Sequence, residues 1–149
     1  MKTPTQLIGQ YIAAYKIVQG AMEAIEAGDA SVQANRDLWL ATKAMLRALN
    51  AALKGGVSVA KLDQAKAYYN ELTAVLIDYR SDLLRCWREG DLYEASDYHG
   101  RMNTDWSLSI DKYDATRERA ISLGIKESEL KAIVAEELER VTREDIANA

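Results

Sequence analysis

Four basic residues recur along one stretch of the sequence at a spacing that would align them on a helix. They are Arg36, Lys43, Arg47 and Lys54, separated by 7, 4 and 7 residues. At about 100° per residue, helical geometry places them within about 40° of one another, opposite an apolar seam. This set, the basic stripe, could bind phosphates or an acidic protein surface. The alternative interpretation is a solvated helix face that only aids solubility.

A second candidate region extends from Trp87 to Tyr113 and holds five of the eleven aromatic side chains. Tryptophan, tyrosine and arginine are the residue types enriched at binding hot spots. The candidate binding residues here are Trp87, Tyr93, Tyr98, His99, Arg101 and Trp106. Aromatic residues near the end of a helical bundle equally serve to fill its core, so both interpretations stay open.

Cysteine and histidine each occur once, as Cys86 and His99, which restricts the metal chemistry of the chain. Zinc sites need clustered cysteine and histidine ligands, and di-iron sites in bundles need two Glu-x-x-His pairs. The sequence also lacks a phosphate-binding loop and a dinucleotide-binding glycine fingerprint. We therefore expect no metal, no cofactor and no enzymatic activity. The alternative is an enzyme whose site is built around His99. Cys86 falls on an apolar seam, where a small buried hydrophobe is expected.

The elements that must position these residues are helices, because no useful stretch alternates apolar and polar residues as a strand does. Capping residues and glycines predict three long helices. The first covers about residues 3–28, the second runs from Asp29 or Ser31 to Lys54, and the third covers about residues 59–89. Gly90 should end the third. A short helix should then open at Asp91 and break at His99–Gly100, and two more helices should meet near Gly124.

The turns between the first three helices are short, so those helices should be antiparallel neighbours. The predicted fold class is all-α, a helical bundle of three long antiparallel helices plus two or three shorter C-terminal helices. Apolar steps of three and four along the first and third helices resemble a coiled-coil seam. The predicted core includes Tyr15, Met45, Leu72, Leu76 and Val134.

On the second helix, Trp39, Leu46 and Leu53 widen the apolar seam on one flank. A seam that wide indicates more than one neighbouring element. Apolar coverage of this breadth also predicts self-association, as a homodimer.

Length and charge bound the class of protein. The 149 residues favour a single domain over residues 1–149. Residues 1–75 carry 8 basic and 6 acidic side chains, a net charge of +2, whereas residues 76–149 carry 11 and 17, a net charge of −6. This balance disfavours a bulk-basic nucleic-acid binder. No apolar run approaches the ~20 residues that span a bilayer, and the N-terminus lacks a signal-peptide core. With a single cysteine, these features predict a cytoplasmic protein that does not bind membranes.

Together, these features favour a non-catalytic protein–protein interaction module, such as an adaptor, an inhibitor or a chaperone-like accessory factor of a bacterium or phage. Its partner should be another protein with an acidic surface. The alternative is a nucleic-acid-associated subunit that uses the basic stripe.

Overall fold

The computed structural model describes the backbone of residues 1–95 and 99–148 and the side chains of residues 1–91 and 105–148. The described residues form five helices and contain no strand, which confirms the all-α prediction. The helices are α1 (Pro4–Glu26), α2 (Val32–Lys54), α3 (Val59–Ala95), α4 (His99–Ser122) and α5 (Glu127–Asn148). Within the described part of the chain, none of these helices has the length and apolar character needed to cross a membrane.

Local capping chemistry sets the starts of the first two helices. The Gln6 amide donates to Thr3 Oγ1 at 3.2 Å, and the Thr3 amide donates to Gln6 Oε1 at 2.9 Å, which completes a capping box ahead of Pro4. At α2 the cap is Ser31, whose Oγ accepts from the Ala34 amide at 3.0 Å. These contacts satisfy amides at the helix starts that have no intrahelical partner.

Glycines in the left-handed region follow α1, α2 and α4. Gly28, Gly56 and Gly124 have φ angles of 105°, 89° and 98°. Because an L side chain at these φ angles is strained, each position favours glycine. Gly28 therefore ends α1 as the sequence predicts.

The prediction that Gly90 ends the third helix is wrong, because α3 continues through it to Ala95 and has 37 residues. Gly90 is not among the glycines with positive φ. A Cβ built there would lie 3.2 Å from Trp106 Nε1, so the missing side chain makes room for the indole. The short helix predicted to open at Asp91 is instead the last part of α3.

Of the predicted break at His99–Gly100, the structure shows that both residues belong to α4, which is described from His99 onward. Helices α4 and α5 have 24 and 22 residues, which is about the length of α1 and α2 with 23 each, and only α3 is markedly longer among the described helices.

Contacts divide the chain into two compact units, unit 1 (Met1–Tyr69) and unit 2 (Asn70–Ala149), and α3 contributes residues to both. In unit 1, Leu7 near the start of α1 packs in one buried cluster with Ala52 near the end of α2, so these helices run antiparallel. Leu62 of α3 joins the same cluster. The rings of Tyr15 and Tyr69 meet edge to face, with centroids 5.8 Å apart, so α3 leaves the cluster in the same direction as α1.

The core of unit 2 is formed by α3, α4, α5 and the turn before α5. Its buried members are Val75, Tyr79, Ala120, Ile125, Leu130 and Ile133. Of the five predicted core residues, Tyr15 is buried and the other four are half-buried. Three of those four, Leu72, Leu76 and Val134, pack against this cluster.

Candidate functional site

The basic stripe lies on the solvent side of α2, where all four of its residues are exposed. The opposite side of the helix carries the three buried residues, Ala34, Ala41 and Ala52. Leu38, Met45 and Leu49 are half-buried beside them. The predicted orientation of the four cations is therefore confirmed.

None of these four cations forms a salt bridge with any described carboxylate. The one acidic residue of α2, Asp37, accepts a hydrogen bond from Gln33 Nε2 at 2.7 Å. Lys43 Nζ lies 4.3 Å from the ring centroid of Trp39. Such a cation–π contact stabilises an exposed pair by about 0.5–1 kcal/mol and leaves the ammonium open to an anion.

A second line of residues, the apolar stripe, runs beside the basic stripe. Val32, Trp39, Leu46 and Leu53 follow one another at intervals of seven, and their exposed fractions are 87 %, 58 %, 49 % and 40 %. At 100° per residue, each lies about 40–100° around the helix from the nearest cation in sequence. Residues 39, 46 and 53, predicted to meet a second neighbouring element, therefore face solvent in this chain.

The predicted aromatic region contributes Trp87 and Trp106, which are both half-buried and which line one groove within unit 2. The predicted binding residues Tyr93, Tyr98, His99 and Arg101 have side chains outside the described residues. The groove has a volume of about 690 Å³ and lies among α3, α4 and α5. The structure thus brings two of the six predicted aromatic-region residues together.

The groove is mainly apolar, with two carboxylates on its lining. Leu83, Val134, Leu138 and Val141 contribute aliphatic walls, and Asp91 and Asp114 contribute the charge; no described lysine or arginine lines it. Burial raises the pKa of the Cys86 thiol on this wall, and the carboxylates of Asp82 and Asp114 raise it further. A protonated thiol is a poor nucleophile, so the raised pKa disfavours nucleophilic chemistry at Cys86.

Two buried carboxylates connect the helices of unit 2, and sequence periodicity did not identify them. Asp82 Oδ2 accepts from Thr116 Oγ1 at 2.7 Å, and Lys112 Nζ lies 3.5 Å from Asp82 Oδ1. Glu137 accepts from Arg80 at 2.7 Å and from Arg140 at 2.8 and 3.0 Å.

The Arg140 guanidinium, with a further contribution from Arg80, lowers the pKa of the Glu137 carboxyl. With its polar partners in place, each carboxylate is a structural cross-link between helices.

The described side chains contain no cluster of three or more His, Cys, Asp or Glu residues that could hold a metal ion.

Tyr79 and Tyr113 share a short hydroxyl–hydroxyl hydrogen bond of 2.6 Å, and burial raises the pKa of Tyr79. A phenol held protonated in this way does not serve as a base near neutral pH.

No protein-family model matches the chain, and neither the curated proteins nor the solved structures include a match.

Proposed function

We propose that this chain is a non-catalytic protein-binding module that uses the basic stripe of α2 to bind an acidic surface on another protein. The observation that carries the proposal is the set of four exposed cations, none of which forms a salt bridge with a described carboxylate. Some exposed arginines elsewhere in the chain, such as Arg140 and Arg143, are paired with glutamates, so the stripe differs in joining on one helix face four cations that pair with no described carboxylate. Cations on one face without an intramolecular partner can pair with charges from outside at little cost in broken contacts.

An acidic protein suits the stripe better than a nucleic acid does. Four cations make a short phosphate track, and residues 76–149 carry a net charge of −6 that opposes a long polyanion. An enzymatic site around His99 has no support in described geometry, because that side chain lies outside the described residues. The module is proposed to act in the cytoplasm, as an adaptor, inhibitor or chaperone-like factor.

We also propose that the chain folds as a single helical-bundle domain in which α1, α2 and α3 are antiparallel neighbours. The support is the continuity of α3, which passes from unit 1 into unit 2 without an interruption.

Charge reversal tests the proposed function. The variant carries Arg36→Glu, Lys43→Glu, Arg47→Glu and Lys54→Glu, which moves the net charge from −4 to −12 because each reversal changes it by −2. The matched control reverses Lys61, Arg85, Lys126 and Lys131, which are also exposed and form no salt bridge with described residues. Both variants should keep the helical circular dichroism of the native protein, because none of the substituted side chains is buried.

Affinity purification from the native cell, with mass spectrometry, should recover an acidic partner with the native protein and the control but not with the stripe variant. Moderate salt should weaken that binding through slower association. Equal recovery by all three proteins would mean that the stripe is only a solvated face. Sequence-independent DNA or RNA binding at physiological salt, lost in the stripe variant alone, would favour the nucleic-acid function instead.

A further inference from the structure

We propose that the partner segment is an acidic amphipathic helix whose apolar seam packs on the apolar stripe of α2 while its carboxylates pair with the basic stripe. This inference rests on the proposed function, since it names the partner of the same surface. The proposed function requires only that the partner be acidic, whereas this inference also requires that its binding segment be helical and carry apolar residues on one face.

The spacing of the apolar stripe suits a helix. Residues repeated every seven positions are ~10 Å apart along α2, and the four of them extend over ~32 Å. Seven residues are also two turns of a partner helix, so apolar residues repeated at the same interval can meet each of the four in turn. In an extended strand, side chains on one face recur every two residues, so their spacing would not match that of the apolar stripe.

Two of the four cations occupy flanking positions of the heptad that the apolar stripe defines, whereas Arg47 and Lys54 lie one residue after Leu46 and Leu53. Arg36 and Lys43 follow Val32 and Trp39 by four residues, which is a flanking position of a heptad when the stripe occupies its first position. In two packed helices, carboxylates and cations at the flanking positions form salt bridges between the helices. These salt bridges determine which partner binds.

The contact between Lys43 and Trp39 links the two stripes directly. With its ammonium 4.3 Å from the indole centroid, Lys43 is held beside the apolar stripe rather than extended into solvent. A carboxylate on the partner would meet a cation whose position is already restricted, which reduces the entropy lost on binding.

A second copy of α2 is a poorer occupant of this face than an acidic helix. The helix has one acidic residue, Asp37, and its carboxylate already accepts from Gln33. Two α2 faces brought together would supply no free carboxylate to eight cations, and like charges across an interface disfavour association. Charge complementarity therefore selects an acidic helix over the homodimer that the breadth of the apolar seam predicts.

The test uses a fluorescein-labelled designed peptide of four heptads with leucine on one face and glutamate at the flanking positions. Its first control has the same composition with the leucines scattered, and its second has lysine in place of glutamate. Fluorescence anisotropy should show saturable binding of the glutamate peptide by the native protein. Affinity for each control peptide should be at least tenfold weaker.

Two protein variants separate shape from charge. The double substitution Trp39→Gln and Leu46→Gln should weaken binding of the glutamate peptide at least tenfold while circular dichroism stays unchanged. The control Ile17→Gln and Ile77→Gln replaces two side chains that are 63 % and 62 % exposed elsewhere, and it should bind as the native protein does.

Four results would overturn the helix proposal. Equal binding of the scattered-leucine peptide would reduce the site to charge alone, and the proposed function would stand. The same holds if the glutamate peptide fails to bind while the charge-reversal variant still loses a cellular partner. A light-scattering mass of two chains that returns to one chain in the Trp39/Leu46 variant would identify a second copy as the occupant. Binding to phosphatidylserine-containing vesicles, abolished in that variant, would identify a membrane surface.

Discussion

Leu62→Ala offers a direct measurement of how the core of unit 1 contributes to the stability of the whole chain. Leu62 is 1 % exposed and packs in one cluster with Leu7, Tyr11, Ala52 and Val57. Truncating a fully buried leucine removes its transfer free energy and leaves a cavity, together costing about 2–5 kcal/mol. The tight turn at residues 55–58 joins α2 to α3 and restricts the movement of both helices. The cavity left by Leu62 therefore has little freedom to collapse, and we expect the free energy of unfolding to fall by about 3 kcal/mol.

Urea unfolding provides the assay. With a slope of about 2 kcal/mol per molar urea, that loss lowers the unfolding midpoint by about 1.5 M. The chain has three tryptophans, so Trp39→Tyr leaves Trp87 and Trp106, both in unit 2, as the only indoles. In that background, tryptophan emission reports unit 2 and circular dichroism reports all helices. A single domain predicts that Leu62→Ala moves both midpoints equally.

The matched control is Leu53→Ala, because Leu53 is 40 % exposed on the apolar stripe of the same unit. It should change stability by no more than about 0.5 kcal/mol. A loss below about 0.5 kcal/mol at Leu62 would refute the assignment of the unit 1 core. A midpoint that falls in circular dichroism but not in unit 2 emission would refute the single domain and show that the two units unfold independently.

Two further predictions concern titratable groups of unit 2. The pKa of Glu137 is lowered by Arg140 and then Arg80, so the carboxylate stabilises the fold above its unfolded-state pKa, and this contribution is lost as pH falls through the folded value. Glu137→Gln should therefore lower Tm most near neutral pH; a Tm difference that stays unchanged while pH falls through the lowered pKa of Glu137 would contradict this assignment. Cys86 is buried with a raised pKa, so a thiol-specific disulfide reagent should react slowly with the native protein and faster in urea; equal rates would show that the thiol is accessible.

The starts of α1 and α2 and the turn glycines could be predicted because their causes are local. A capping box needs only Thr3 and Gln6, three residues apart, and a left-handed helix end needs only a glycine such as Gly28. Gly90 shows the limit of the same rule. A glycine also allows close approach of another element, and the indole of Trp106, sixteen residues along the chain, is what uses the space there.

Register in the later helices depends on neighbours that the sequence pattern does not reveal. The predicted seam places Leu76 and Val134 inward, but the buried positions are Val75 and Ile133, one residue earlier in each helix. A helix packed against two others buries a broad face, and periodicity alone does not identify its centre. Glu137 is also paired with Arg140, three residues along α5, and with Arg80 of α3, a partner that no spacing rule on α5 could supply.

Only part of the candidate surface on α2 could be predicted, because its apolar part also depends on neighbouring elements. Four cations at 7, 4 and 7 residue intervals share a face by helix geometry alone, and that face is exposed. The outward position of Trp39, Leu46 and Leu53 depends on whether another element covers them, which periodicity leaves open. For Tyr93, Tyr98, His99 and Arg101 the prediction stays untested.

The composition of α2 strengthens the case that its outer face has an occupant. Its three buried residues are all alanine, whereas its tryptophan and three of its leucines, Leu40, Leu46 and Leu53, are at least 40 % exposed. Burial contributes about 25 cal/mol per Å² of apolar surface. The isolated chain would therefore be more stable with the large apolar side chains of α2 buried and the alanines exposed. Alanine instead permits close packing on the inside, and the large side chains remain available outside beside unpaired cations. A bound acidic helix would recover the burial that the isolated chain forgoes.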